Sequence, residues 1–176
     1  MKLRAFEGRS PQLGERVFVD EAAVIIGDVV LGDDCSVWPG TVIRGDIHYI
    51  RIGARTNVQD NSTLHVTHAS EYTAPDGYPL HIGDEVTIGH GAIVHACTIG
   101  NRCLIGMGSI VLDGAVLEDE VLLGAGSLVA PGKQLEGGYL WLGRPARRAR
   151  PLTEREREYL RYSAEHYVRL KDRFLS

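Results

Sequence analysis

The sequence has no apolar run approaching the roughly 20 residues that span a bilayer, so nothing in it reads as a membrane helix. It has no basic excess either. Lys and Arg number 19 against 23 Asp and Glu, a net charge of −4, which argues against the basic face that nucleic-acid partners need. Cysteines number three, an odd count without paired spacing, which points to a reducing interior rather than a disulfide framework. The stretch Met1-Lys2-Leu3-Arg4-Ala5 lacks the apolar core of a secretion signal. These shortages give the expectation of a soluble cytoplasmic protein with neither membrane nor nucleic-acid partners. A length of 176 residues suits one domain with a real core.

What the sequence does contain is a six-residue rhythm of aliphatic side chains. It runs Leu13, Val19, Ile25, Leu31, Val37, Ile43, then Ile52, Val58, Leu64, then Ile82, Ile88, Val94, and finally Ile99, Ile105, Val111, Leu117, Leu123, Val129. A Gly often follows, and a small residue such as Ala23, Thr41, Ser62, Ala92 or Ser109 often sits four places on. Cys35 and Cys103 fill that small slot and read as packing residues; Cys97 reads as a buried structural thiol. A helix repeats near 3.6 residues and a strand near 2, so a period of six fits neither. It fits a parallel β-helix, in which short strands wind as coils around an aliphatic core.

Residues 1–12 form a lead-in segment, and the hexads then run to about Val129. Three residues are inserted around Ile47 to Ile50, and residues 67–80 are too polar and too rich in Pro and Gly for a core strand. Three hexads per coil give a triangular prism of about six coils, ended by Pro131, Gly132, Gly137 and Gly138. The expected organisation is a β-helix domain over 1–151 and a C-terminal amphipathic helix over 152–176. Thr153 and Glu156 form a capping box for that helix, and Leu160, Ala164, Tyr167, Lys171 and Phe174 follow at helical spacing.

Counting hexads exposes a candidate metal site. His65 and His95 are each the second residue of a hexad, and the two hexads lie three steps apart once residues 67–80 loop out. Three steps make one coil, so one histidine stands above the other on an outward face. Strands about 4.8 Å apart let two imidazoles converge on one ion. Arg44 continues the column one coil below. His90 lies around a corner and reaches the pair only if a threefold assembly brings the edge of a neighbour against it. Three histidines with an open fourth position are the catalytic form of a zinc site. The blander alternative is a set of surface histidines on a repeat scaffold. His48, His68, His81 and His166 have no such geometry and read as structural or solvated.

At Arg44-Gly45-Asp46, Asn57-Val58-Gln59-Asp60-Asn61, Leu64-His65 and Gly89-His90-Gly91-Ala92-Ile93-Val94-His95 the chain resembles the gamma-class carbonic anhydrases. The resemblance covers nearly the whole chain. It implies an all-β solenoid in the form of a left-handed β-helix, a homotrimer, and metal sites at the subunit boundaries. His65 and His95 would come from one subunit and His90 from the next, holding Zn2+, with Fe2+ or Co2+ compatible with imidazole ligation. Gln59 would orient the metal-bound water or hydroxide that hydrates CO2 to bicarbonate. Arg44, Asp46 and Asp60 would form an ion-pair network near the site and across the interface, serving catalysis or purely assembly. Asn57 would lie by the substrate pocket, and Tyr167 would approach it from the helix. Strongly active members carry an acidic loop and glutamates beside the metal for proton transfer; this chain instead has Ile47 after Asp46 and a shorter loop. His68, three residues after a ligand, is the candidate substitute proton relay.

Three other functions stay open at this point. A hexapeptide acyltransferase needs one histidine and a coenzyme A site, for which Arg144, Arg147, Arg148 and Arg150 are candidate phosphate contacts, although a surface basic run explains them as well. A hydrolase of a small ester or thioester would use the same metal site. A non-catalytic trimeric homologue would use the metal structurally.

Overall fold

Each inward-facing aliphatic residue stacks on its counterpart one turn away, and three such columns define the molecule. The computed structural model describes residues 2–176 and is a parallel β-solenoid with one C-terminal helix; Met1, in the lead-in segment, lies outside the described residues. The first face stacks Leu3, Ile25, Ile43, Leu64, Val94, Val111 and Val129. The second stacks Leu13, Leu31, Ile52, Ile82, Ile99, Leu117 and Leu135. The third stacks Val19, Val37, Val58, Ile88, Ile105, Leu123 and Trp141. Most of these side chains lie in the core, joined by small and aliphatic residues between rungs such as Ala23, Val29, Val66 and Ala92, and Cys35, Cys97 and Cys103 are buried with them. Burial pushes the Cys35 and Cys103 thiols up to about 12 and raises Cys97 as well, so all three pack as inert groups.

The solenoid has more coils than the six expected. Leu135 and Trp141 continue the step of six beyond Val129, and Gly132 supplies a turn between rungs rather than a terminus. At the other end Lys2–Arg4 already pairs with Val24–Ile26 as a strand of the first face. The insertion near Ile47 is absorbed as a register shift: Val42–Ile52 is one strand that rounds a corner between two faces, with the pairing jumping from Gly27–Gly45 to Val29–Ile50. Residues 67–79 leave the prism, closed at their base by the bridge between Thr67 and Tyr78. Tyr139–Gly143 and Ala146–Pro151 form an antiparallel hairpin that covers the far edge of the third face.

The helix spans Glu154–Leu175, and the Thr153/Glu156 capping box is formed at its start. It lies on the third face. Its aromatic end meets the prism where Phe174 packs on Phe18 and Trp38, and Tyr167 sets its edge against Trp38 with ring centroids 5.6 Å apart. Lys171 is fully buried, with Nζ 3.0 Å from Asp34 and 2.5 Å from Asp172. Arg157 pairs with Glu120 nearer the helix start. Among the described residues no helix is long and apolar enough to cross a membrane.

Candidate metal centre

Register alone sets the centre of the site. Leu64 pairs with Val94 inside the first face, so His65 and His95 pair directly outside it. His65 Nδ1 lies 3.1 Å from His95 Nε2. On the far side of each ring stands a carboxylate: Asp46 Oδ1 is 3.0 Å from His65 Nε2, and Asp113 Oδ1 is 2.6 Å from His95 Nδ1. An ionised carboxylate only accepts hydrogen bonds, so each ring donates its single hydrogen to its aspartate. With both rings neutral, the two nitrogens of the 3.1 Å pair face one another as acceptors, the form in which imidazoles ligate a metal.

The surroundings hold that arrangement in place. Asp46 is gripped by Arg44 at 2.5 Å and by the Ile47 N–H at 2.9 Å. Burial works against the ionised Asp46, but the hydrogen bonds from Arg44 and His65 outweigh it and lower its pKa. Burial, ahead of the opposing Asp46 hydrogen bond, also lowers the pKa of His65, which favours the neutral, ligating form of the ring. Thr67 Oγ1 donates to Asp113 Oδ2 at 2.5 Å, so the loop begins at the same carboxylate that orients His95.

His90 stands apart from the pair, at the corner of another rung. It repeats their chemistry: Asp60 Oδ2 is 2.9 Å from its Nδ1, leaving Nε2 as the outward lone pair. Among the described residues of the single chain, no group of three or more His, Cys, Asp or Glu is arranged to hold a metal. The donor set nevertheless suits one. Three imidazoles each backed by a carboxylate match the way metal-bound histidines are oriented and made more basic. The 3.1 Å span of His65 and His95 is close to the ~3.3 Å edge of a tetrahedron built from ~2.05 Å metal–nitrogen bonds.

The remaining candidates fall into three groups. Gln59 and Asn57 are buried on the third face, where Gln59 Nε2 donates to Asn57 Oδ1 (3.1 Å) and Asn57 Nδ2 to Thr87 Oγ1 (3.0 Å), which in turn meets Ser163 of the helix at 3.0 Å. A groove of about 390 Å³ gathers Gln59, His90 and Tyr167 along this string; burial raises the Tyr167 pKa. Within one chain, Arg44 and Asp46 meet beside His65, and Asp60 meets His90. His68 is exposed on the loop and shares a cavity with Asp46. His48 and His81 are structural: His48 meets the Asp76 carbonyl (3.1 Å) and His81 the Tyr49 hydroxyl (3.3 Å).

Asp113 was not among the sequence candidates. Its signal was available in the spacing, since Val94 pairs with Val111 and Asp113 therefore follows one rung above the His95 segment. Nothing in the sequence marked it as facing the histidine rather than solvent.

Comparison with known proteins accords with this architecture. The bacterial transferase hexapeptide (six repeats) family matches residues 10–45 and 96–131. Protein YrdA of Escherichia coli (strain K12) is 58% identical over 98% of this chain and 94% of its own length. A protein named carbonic anhydrase from Geobacillus kaustophilus is 45% identical over 89% of this chain and 83% of its own. A solved structure described as a hexapeptide transferase family protein from Anaplasma phagocytophilum superposes with a TM-score of 0.89 at 46% identity, covering 97% of this chain and 96% of that one. With the three carboxylate-backed histidines in place on this solenoid, the chain belongs to the gamma-class carbonic anhydrase family of hexapeptide-repeat proteins.

Proposed function

We propose that the protein is a metal-dependent carbonic anhydrase, hydrating CO2 reversibly to bicarbonate as a cytoplasmic homotrimer with Zn2+ as its metal. The observation that carries this reading is the 3.1 Å approach of His65 Nδ1 to His95 Nε2, each ring backed by its own aspartate. Kinship with a carbonic anhydrase at 45% identity supports the same chemistry.

In this reading His65 and His95 hold the metal from one subunit and His90 from an adjacent copy. A bound divalent cation supplies the Lewis acidity that makes water a nucleophile near neutral pH. The chain does the rest. Asp46, Asp113 and Asp60 keep the ring hydrogens on the nitrogens facing away from the metal, and Arg44 keeps Asp46 ionised and in position. Gln59, steadied by Asn57, presents its amide in the groove beside His90 and orients water or substrate there.

Stopped-flow CO2 hydration tests the proposal, using protein prepared anaerobically and loaded separately with Zn2+, Fe2+ or Co2+ beside His95→Ala. Turnover that requires both metal and His95 is the expected result. Full metal occupancy with no hydration by any of the three would sink it and redirect the search to ester or thioester hydrolysis. Acyl transfer is the second reading, favoured by the likeness to a structure described as a hexapeptide transferase family protein. It requires saturable coenzyme A binding that survives chelation, which the anhydrase reading does not.

A further inference from the structure

Hydrating CO2 gives bicarbonate and one proton, and the proton must leave before the next turnover. The sequence lacks the glutamate-rich loop that would carry it, yet the structure places a carboxylate from another part of the chain on a cavity that Asp46 also lines. Phe6 and Arg9 exchange two backbone hydrogen bonds, 2.9 and 3.0 Å, across the two-residue turn Glu7-Gly8. Both turn residues have positive φ, 45° and 77°. Most other non-glycine residues with positive φ lie in turns between stacked rungs. Glu7 lies at the tip of a separate hairpin, which Arg9 pins to the prism through Asp28 at 2.9 Å. Positive φ at both residues is what a tight two-residue hairpin turn requires, so the turn fixes where Glu7 stands.

That hairpin forms one wall of a cavity of about 440 Å³ whose lining includes Glu7, Asp46, His48 and His68. Hydrogen bonding separates the four. Asp46 is committed to His65, Arg44 and the Ile47 N–H. His48 is committed at both ring nitrogens, accepting the Tyr49 N–H at Nδ1 and donating to the Asp76 carbonyl from Nε2, which braces the loop. Among the described residues neither the His68 ring nor the Glu7 carboxylate has a hydrogen-bonding or ionic partner. The cavity thus holds an uncommitted imidazole and an uncommitted carboxylate beside the residue that orients His65. His68 is also positioned: its neighbour Thr67 is fixed to Asp113, and the loop closes on the Thr67–Tyr78 bridge.

We infer that Glu7 and His68 form the proton exit of the site, through the cavity between the N-terminal hairpin and the loop; this rests on the anhydrase reading above. A His68 ring nitrogen accepts the proton released by hydration through water in the cavity. The resulting imidazolium passes it to the Glu7 carboxylate or to a buffer base at the mouth, which returns His68 to its neutral form. One proton enters and one leaves, and no other reactant is consumed.

The test uses the full-length, metal-loaded protein and the variants Glu7→Gln, His68→Ala and the pair combined. Stopped-flow assays in dilute and concentrated buffer are run beside metal content by mass spectrometry and assembly mass by light scattering. In dilute buffer each single variant should lower kcat about tenfold with kcat/KM and metal content unchanged, and added imidazole should restore His68→Ala. Unchanged kcat in dilute buffer for both single variants, or a loss that imidazole and concentrated buffer fail to repair, overturns the relay. A metal-loaded wild type without hydratase activity overturns the anhydrase reading and the relay with it. An active wild type with indifferent variants overturns the relay alone.

Discussion

His65 Nδ1 and His95 Nε2 face each other across 3.1 Å as two hydrogen-free nitrogens, because Asp46 and Asp113 take the ring hydrogens on the opposite sides. In the proposed reading the two rings are held in their metal-binding form by these carboxylates. Asp113 acts on the metal only through His95, which makes it a positioning residue with a distinct mutational signature.

Asp113→Asn should weaken metal affinity by about 10- to 100-fold, since an amide no longer dictates which His95 nitrogen carries the hydrogen. Competition with a chelator of known affinity reads this directly. His95→Ala should abolish measurable binding, whereas Asp113→Asn should remain saturable at higher metal concentration. Equal affinity in Asp113→Asn and wild type would show that the carboxylate does not set the tautomer.

The buried ammonium of Lys171 locks the end of the helix to Asp34, which also holds Arg16 at 2.6 Å. Burial disfavours the Asp34 charge, but the hydrogen bonds from Lys171 and Arg16 prevail and lower its pKa. Lys171→Ala should cost about 3 kcal/mol, because it leaves a cavity and strips a partner from a partly buried carboxylate. Lys171→Met, which keeps the volume, should cost less. Urea unfolding of the two variants measures the difference, and equal losses would show that charge rather than packing sets the cost.

Glu156 closes the capping box, with its carboxylate held by Arg150 and by the Thr153 N–H at 2.8 Å. These contacts lower its pKa to about 2. A depressed carboxylate pKa means the stabilisation is full above the ordinary value of 4.5 and fades as pH falls toward 2. The pair with the exposed Arg150 is screened and Gln still accepts from the Thr153 N–H, so the expected loss in Glu156→Gln is about 0.5 kcal/mol at pH 7. Melting temperatures of variant and wild type should converge between pH 4.5 and 2. A gap that stayed constant across that window would refute the assignment.

A Cβ on Gly106 would sit 2.4 Å from the Ala125 backbone nitrogen of the next rung. Gly106→Ala must push two rungs apart and should cost about 1–3 kcal/mol by overpacking. Gly108, two residues on, has positive φ, but a Cβ added there would meet nothing within 4 Å. Gly108→Ala should therefore cost only about 1 kcal/mol of backbone strain. Denaturant midpoints that place Gly108→Ala below Gly106→Ala in stability would reverse the argument.

Much of this architecture was legible in the sequence for a simple reason. In a solenoid, contacts between rungs are a fixed number of residues apart, so counting is equivalent to stacking. His65 over His95 and the core columns follow from that arithmetic once the loop is removed. The same arithmetic should have carried the prism past Val129 to Leu135 and Trp141, but proline and glycine beyond Val129 read as an end rather than as a turn.

Where the period breaks, counting fails. Glu7, the loop around His68 and the helix around Lys171 obey no six-residue step, and their positions depend on which surface each segment buries. The helix pattern placed Lys171 on the packing face without showing that Asp34 waits there as its counter-ion. Asp113 kept its rung, but whether its side chain turns toward His95 or toward water depends on Thr67 arriving from the loop to take its second oxygen. By itself the sequence determined the repeat, the core and the stacked histidines, because these are local spacings made spatial by parallel strands. Only the tertiary structure decided which carboxylate holds each ring, and thus which nitrogens are free, because hydrogen bonds between segments of different period form only after the chain has closed on itself.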